Sequence, residues 1–163
     1  MGLLFVYGFI TPQLTVILFS YKPADAKMGG CPYKIIQDPA GVYIIEINTG
    51  KIKDRLMPYL SEGLETNDEV YKKTGARLSV NAGFFDPKNK KTVSYVVIDS
   101  KIVANPKDNE NLMNNKALEP YMDKILNRSE FRILQDEKGK IIYDIVPHNE
   151  KTPEGYIIKH SIQ

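Results

Sequence analysis

The chain has 163 residues, of which 42% are hydrophobic and 26% charged, enough for one globular domain with its own core. Its 22 basic and 20 acidic residues are interspersed and give a net charge of +2, which argues against a nucleic-acid binder, because such proteins gather Lys and Arg on one element. A single cysteine, Cys31, rules out an intrachain disulfide, and His148 and His160 are too few for a His/Cys metal cluster; a calcium-type site of carboxylates stays open, and no metal ligand or cofactor is assigned.

The first stretch, MGLLFVYGFITPQLTVILFSYKPADAK, is unlike the rest, with no charge from Gly2 to Tyr21. The small-x-small ADA at 24–26 has the form of a secretory cleavage site. Residues 1–26 therefore read as a signal peptide or N-terminal membrane anchor, and the protein as exported, secreted or tethered at the cell envelope. No Lys or Arg precedes the apolar run, which departs from the usual positive start, and a buried N-terminal strand or helix is the alternative. MGGC at 28–31 is set apart from the run by Lys22, Asp25 and Lys27, so it is not taken as a lipoprotein box. Residues 27–40, with Gly29, Gly30, Pro32 and Pro39, read as a linker, and 41–163 as the domain.

GVYIIEIN (41–48) is a β-branched run closed by a turn and predicts a strand. In KIKDRLMPYL (51–60) Pro58 interrupts any helix, so the segment reads as extended. TNDEVYKKTGA (66–76) has helix signals at both ends. Thr66 and Glu69 form a capping box, Asp68 and Glu69 sit at the positive end, Lys72 and Lys73 at the negative end, and Gly75 supplies a left-handed stop. A helix over about 67–74 follows. ARLSVN and TVSYVVI are strands on either side of a loop at 83–91, and Asp99-Ser100 turns the chain into KIVA. NPKDNENLMNN (105–115) reads as polar loop, KALEPYMDKILNR (116–128) as a second helix with Pro120 in its first turn, and EFRILQ and KIIYDIV as a hairpin about DEKGK. EGYIIKHSIQ adds a last strand. The fold class is α+β: a single domain with a mixed or largely antiparallel sheet and two short helices. A Rossmann unit is excluded for want of a Gly-rich strand-to-helix loop.

The stretch SVNAGFFD (79–86) concentrates the chemistry. Asn81, at a strand end, offers both a donor and an acceptor. Ala82 and Gly83 keep the wall low, and glycine permits φ values that others avoid. Phe84 and Phe85 alternate faces, so one ring can enter the core while the other lines a site. Asp86 precedes Pro87, which fixes the turn. The alternative is structural: Asn81 and Asp86 bind their own turn backbone and both rings are core. Ten tyrosines suit sugars and equally suit ordinary strands.

Residues 66–106 resemble the phosphodiester glycosidase family, whose namesake removes N-acetylglucosamine from a phosphodiester. The resemblance lies in Thr66, Thr74-Gly75-Ala76, Asn81 to Asp86, Tyr95 to Ile98 and the hairpin Asp99 to Val103; GVYIIEINTGK resembles the family's first strand. Ser94 and Ser100 stand where the family has glycine, and a later glycine-glycine-proline segment is absent, HSIQ (160–163) resembling the strand before it. The expectation is a domain truncated at its C-terminus.

The resemblance implies a hydrolase that cleaves a sugar from a sugar-1-phosphodiester or acts on an envelope glycan. Its partner is then a glycan or sugar phosphate, with no nucleic acid and with N-terminal membrane association as an option. Such chemistry needs carboxylates and phosphate donors around an oxocarbenium-like centre. On it, Asp86 and His160 are the catalytic candidates, and Asn81, Gly83, Phe84 and Phe85 the substrate-binding ones. Lys88, Lys90 and Lys91 attract an anion or simply form a solvated loop. His160 is equally readable as a structural strand histidine; His148 is assigned nothing, and Cys31 lacks a positioned base. The rival reading is a non-catalytic carbohydrate- or envelope-binding module, or an inactive fragment of such an enzyme.

Overall fold

The computed structural model describes residues 16–19, 33–37, 43–52, 55–61 and 63–163. In chain order these form β1 (Val16–Phe19), β2 (Tyr33–Gln37), β3 (Tyr43–Ile47), α1 (Thr49–Ile52), β4 (Leu56–Tyr59), α2 (Asn67–Thr74) and β5 (Leu78–Asn81). They continue with β6 (Val96–Ile98), β7 (Lys101–Ala104), α3 (Glu110–Met113), α4 (Met122–Leu126), β8 (Ser129–Asp136), β9 (Ile141–Pro147) and β10 (Tyr156–Ile162). Three sheets result: β4-β1-β5, β2-β3 and the larger β7-β6-β10-β8-β9. Every strand pairing is antiparallel, so the fold is α+β. The described residues contain four short helices rather than two. The extra ones, α1 and α3, each span four residues, too few to leave a periodic apolar stripe in the sequence. Asn109 caps α3 by accepting the Leu112 amide, which turns the expected polar loop at 105–115 into a 3₁₀ turn followed by a helical one. The second helix is shorter than expected, because 119–121 is a 3₁₀ turn and only Met122–Leu126 is α-helical.

The helix at 67–74 follows its signals. The Thr66 hydroxyl accepts the Glu69 amide, the Glu69 carboxylate accepts the Thr66 amide, and Gly75 closes the helix at φ 67. Val70 and Ala76 are fully buried beneath Tyr59. Pro58 lies in β4, an edge strand, where a residue without an N–H is tolerated. β2 falls inside the stretch expected as a linker; YKIIQ has the apolar content of a strand, and it pairs with β3 from Tyr33↔Ile47 to Gln37↔Tyr43. β1 falls inside the segment expected as a signal or anchor and lies between β4 and β5. The remainder of 1–32, with the ADA motif and Cys31, lies outside the described residues. Among the described residues no helix is long and apolar enough to cross a membrane.

The larger sheet has two unlike faces. Phe131, Ile133 and Tyr143 project from one face onto Ile47, Ile52, Leu56 and Leu78, and this forms the main core. The opposite face of β8 carries Glu130, Arg132 and Leu134, all buried. The register places Ser161 of β10 beside Arg132, and a bulge between Ile158 and His160 resets the alternation so that His160 sits opposite Ile133 instead. Two consecutive residues of β10 thus divide: His160 goes with the apolar face and Ser161 with the polar one.

The β6–β7 hairpin turns through Asp99 (φ 48) and Ser100 (φ 60), both left-handed, as a two-residue turn of this twist requires. Serine bears a steric cost there that glycine does not, about 1 kcal/mol. Ser100→Gly should therefore raise the urea midpoint by the equivalent of about 1 kcal/mol; a lower midpoint would contradict the turn geometry.

Candidate functional site

The loop after β5 is built from side-chain bonds to its own backbone. Asp86 accepts the Lys88 amide at 2.8 Å, its amide donates to the Lys91 carbonyl, and the Lys90 amide returns to the Asp86 carbonyl. Asn89 donates to Asn109, which is 1% exposed and also donates towards the Lys91 and Thr92 carbonyls. Lys91 pairs with Glu110 at 2.6 Å. Loop 84–92 is thereby fixed to the 105–113 segment. Ser94 is fully buried and accepts the Phe84 amide at 3.1 Å, while Thr92 donates to the Phe84 carbonyl. Phe84 is held by its backbone and is 63% exposed as a residue, and the Arg128 guanidinium lies 4.9 Å from the ring centroid.

Arg128 leads from this loop to the polar face of the larger sheet. Its Nη2 donates to the Val93 carbonyl at 2.6 Å and reaches Gln163 Oε1 at 3.5 Å, and its buried Nε has no hydrogen-bond partner among the described residues. Burial lowers the guanidinium below its ordinary pKa, though an arginine stays charged under any such shift. The His148 amide donates to the Arg128 carbonyl, extending the β8–β9 ladder one rung past Ser129↔Pro147. Arg128 and His148 therefore leave the sheet on the side of Glu130.

Glu130, 1% exposed, is the hub of that face. Its Oε2 accepts from Arg132 Nε at 2.9 Å and contacts His148 Nδ1 at 3.1 Å, and its Oε1 accepts from the Ser161 hydroxyl at 2.5 Å. Arg132 spends its other nitrogens on the carbonyls of Pro147, His148 and Glu150, which draws the turn after β9 over the sheet. The His148 ring stacks on Tyr95 at 3.8 Å and 4°. Gln163 donates its amide to the Tyr95 carbonyl and its side chain to the Leu126 carbonyl. Two guanidinium groups, one carboxylate and one imidazole share this end of the sheet, so the local balance favours an anion.

The residues singled out in the sequence divide between these surroundings. Phe84 reaches the polar face through Arg128. Phe85 is half-buried and bridges Thr92. Asn81 ends β5 opposite Val16, with its side chain exposed. Among the described residues the glycines with positive φ are Gly75, Gly139 and Gly155. Asp86 takes the structural alternative, a carboxylate binding its own turn. His160 is 3% exposed and accepts the Asp99 amide at 3.2 Å, with Nε2 3.7 Å from the Asp99 carboxylate; it anchors the β6–β7 turn. Arg128, Glu130, Arg132, His148 and Ser161 were not singled out. Arg128, Glu130 and Arg132 alternate with Ser129, Phe131 and Ile133, which reads as a solvent-facing strand side until the covering turn is known. Among the described residues no group of three or more His, Cys, Asp and Glu is placed to hold a metal ion.

No family model, curated protein or solved structure matches the chain.

Hydrogen bonds from the Lys88 amide first, and from the Asn111 side chain second, hold the Asp86 carboxyl below the usual Asp range. A depressed folded-state pKa means stability that is present above the unfolded value, about 3.9, and lost as pH falls through the folded one. The stability gap between wild type and Asp86→Asn, followed by unfolding from pH 7 to 2, should shrink at the acid end; a gap that widens there would contradict the loop geometry. Glu130→Ala leaves Arg132 buried without its counter-charge, and should cost about 3–5 kcal/mol in urea unfolding. A loss under about 1 kcal/mol, the value of an exposed pair, would mean that the face is hydrated rather than buried.

Proposed function

We propose that the polar end of the larger sheet binds a sugar phosphodiester and that the chain is a hydrolase of the phosphodiester glycosidase type, exported or held at the envelope and acting on a glycan or sugar-phosphate substrate. The observation that carries this reading is the Arg128 guanidinium, half-buried and lying over the exposed Phe84 ring. A guanidinium matches the planar, charged edge of a phosphate, and an exposed aromatic face suits the apolar side of a sugar ring. The pairing of the two is what a sugar phosphate demands, and Phe84 belongs to the NAGFFD stretch on which the family resemblance rests. Two cations against one carboxylate favour the anionic diester and the charge that builds on its leaving phosphate.

A second reading is a non-catalytic binding module for the same ligands. It is favoured by Asp86, whose carboxylate serves its own loop.

The test is release of free sugar from benzyl and methyl phosphodiesters of glucose 1-phosphate and N-acetylglucosamine 1-phosphate by the full chain. Arg128→Gln should raise KM about tenfold or more, the worth of a charge-assisted hydrogen bond, and Phe84→Ala should raise it by a smaller factor. Binding by calorimetry without sugar release favours the module, and neither binding nor release across the panel removes both readings.

A further inference from the structure

We infer that His148 is the proton-accepting residue of this site, with Nε2 as the atom that takes the proton and Glu130 as the group that orients it. The inference rests on the hydrolase reading above and adds to it the chemistry of one step.

The imidazole is held by every contact except those needed for work. Glu130 is an acceptor-only group already receiving Arg132 and Ser161, so the Nδ1 that faces it at 3.1 Å is the nitrogen that bears hydrogen. In the neutral ring the lone pair then lies on Nε2. One ring face is covered by Tyr95. The backbone is clamped on both sides, its amide to Arg128 and its carbonyl to Arg132. The side chain nevertheless keeps 32% exposure, and Nε2 has no hydrogen-bond partner among the described residues. A base oriented by a buried third group, with its free nitrogen towards solvent, is the arrangement that activates a nucleophile. The charged or titratable groups around the ring are Glu130 and Arg132 of β8, Arg128 just before it and Tyr95 before β6; Glu150, in the turn that carries His148, is exposed and meets Arg132 through its carbonyl. His160, by contrast, is buried and spends Nδ1 on the Asp99 amide.

The step balances without any further reagent. Neutral Nε2 takes a proton from water as the water oxygen bonds to the anomeric carbon. The bond from that carbon to the phosphate oxygen breaks, and its electron pair leaves on the phosphate beside Arg128. Nε2 then returns the proton to solvent. Diester and water give free sugar and a phosphate monoester.

The experiment uses the full chain, the best-cleaved diester of the panel above, and His148→Gln. A general base contributes about 10²–10⁴-fold, so the variant should lose that much in kcat, with KM changed only a few-fold. To separate loss of the base from loss of the turn, wild-type protein is also treated with diethyl pyrocarbonate, which attacks a neutral, accessible imidazole nitrogen. Of the two histidines, His148 should be acylated fast and His160 slowly, with inactivation following the fast phase. Undiminished kcat in a folded His148→Gln, or a slow-reacting His148, overturns the inference and leaves the hydrolase reading standing. Absence of turnover by wild type across the whole panel is the separate outcome that removes the reading and the inference together.

Discussion

A carboxylate removed from water must be surrounded by donors or it will not stay ionised. Glu130 meets that demand with a guanidinium, an imidazole and a hydroxyl drawn from β8, the end of β9 and β10. The consequences spread outwards. Arg132, once committed to Glu130, has nitrogens left over and closes the Pro147–Glu150 turn with them. That turn sets His148 against Tyr95, and the rung between His148 and Arg128 fixes where the guanidinium over Phe84 begins. The apolar face supplies the free energy that holds the sheet together, but the polar face determines which residues meet at its end. Buried ion pairs are weak contributors to stability and stronger candidates for specifying one arrangement, and this one joins three strands in one register.

Elements whose signals were local were legible. The capping box at Thr66 and Glu69 and the left-handed Gly75 delimit α2 in the sequence because each acts within a few residues. The hairpin turns at Asp99-Ser100 and at Gly139 are legible for the same reason. β2 was obscured by the glycines and prolines around it, and α1 and α3 by their four-residue length. Pro58 gave the right exclusion of helix, though only the sheet order explains why a strand accepts it there.

The site was legible at one end only. Asn81 to Asp86 stood out because unusual residue types fall on consecutive positions. Phe84 alone of them meets the charged face, and it does so through Ser94 and Arg128, ten and forty-four positions away. Glu130 and Ser161 are thirty-one positions apart, and nothing in SEFRIL or KHSIQ announces that the hydroxyl will donate to the carboxylate. The bulge at Lys159 is the clearest case. It exchanges the faces of His160 and Ser161 relative to an unbroken alternation, so a strand reading of YIIKHS sends the histidine to the wrong side. Parity errors of this kind are invisible to any pattern of period two.

β1 has a consequence for how the chain reaches its folded state. It separates β4 from β5, with Val16 opposite both Tyr59 and Asn81, so the two neighbours share no ladder with each other. Two loops must close before that strand is paired on both sides, and closure over such spans is slow. Until it occurs, β4 and β5 each present a bare ladder edge, the kind of surface on which chains join one another. Crowding at the ribosome or during refolding at high concentration therefore bears on this small sheet first, and because Leu56 and Leu78 pack against Ile133, the main core is complete only when it has formed.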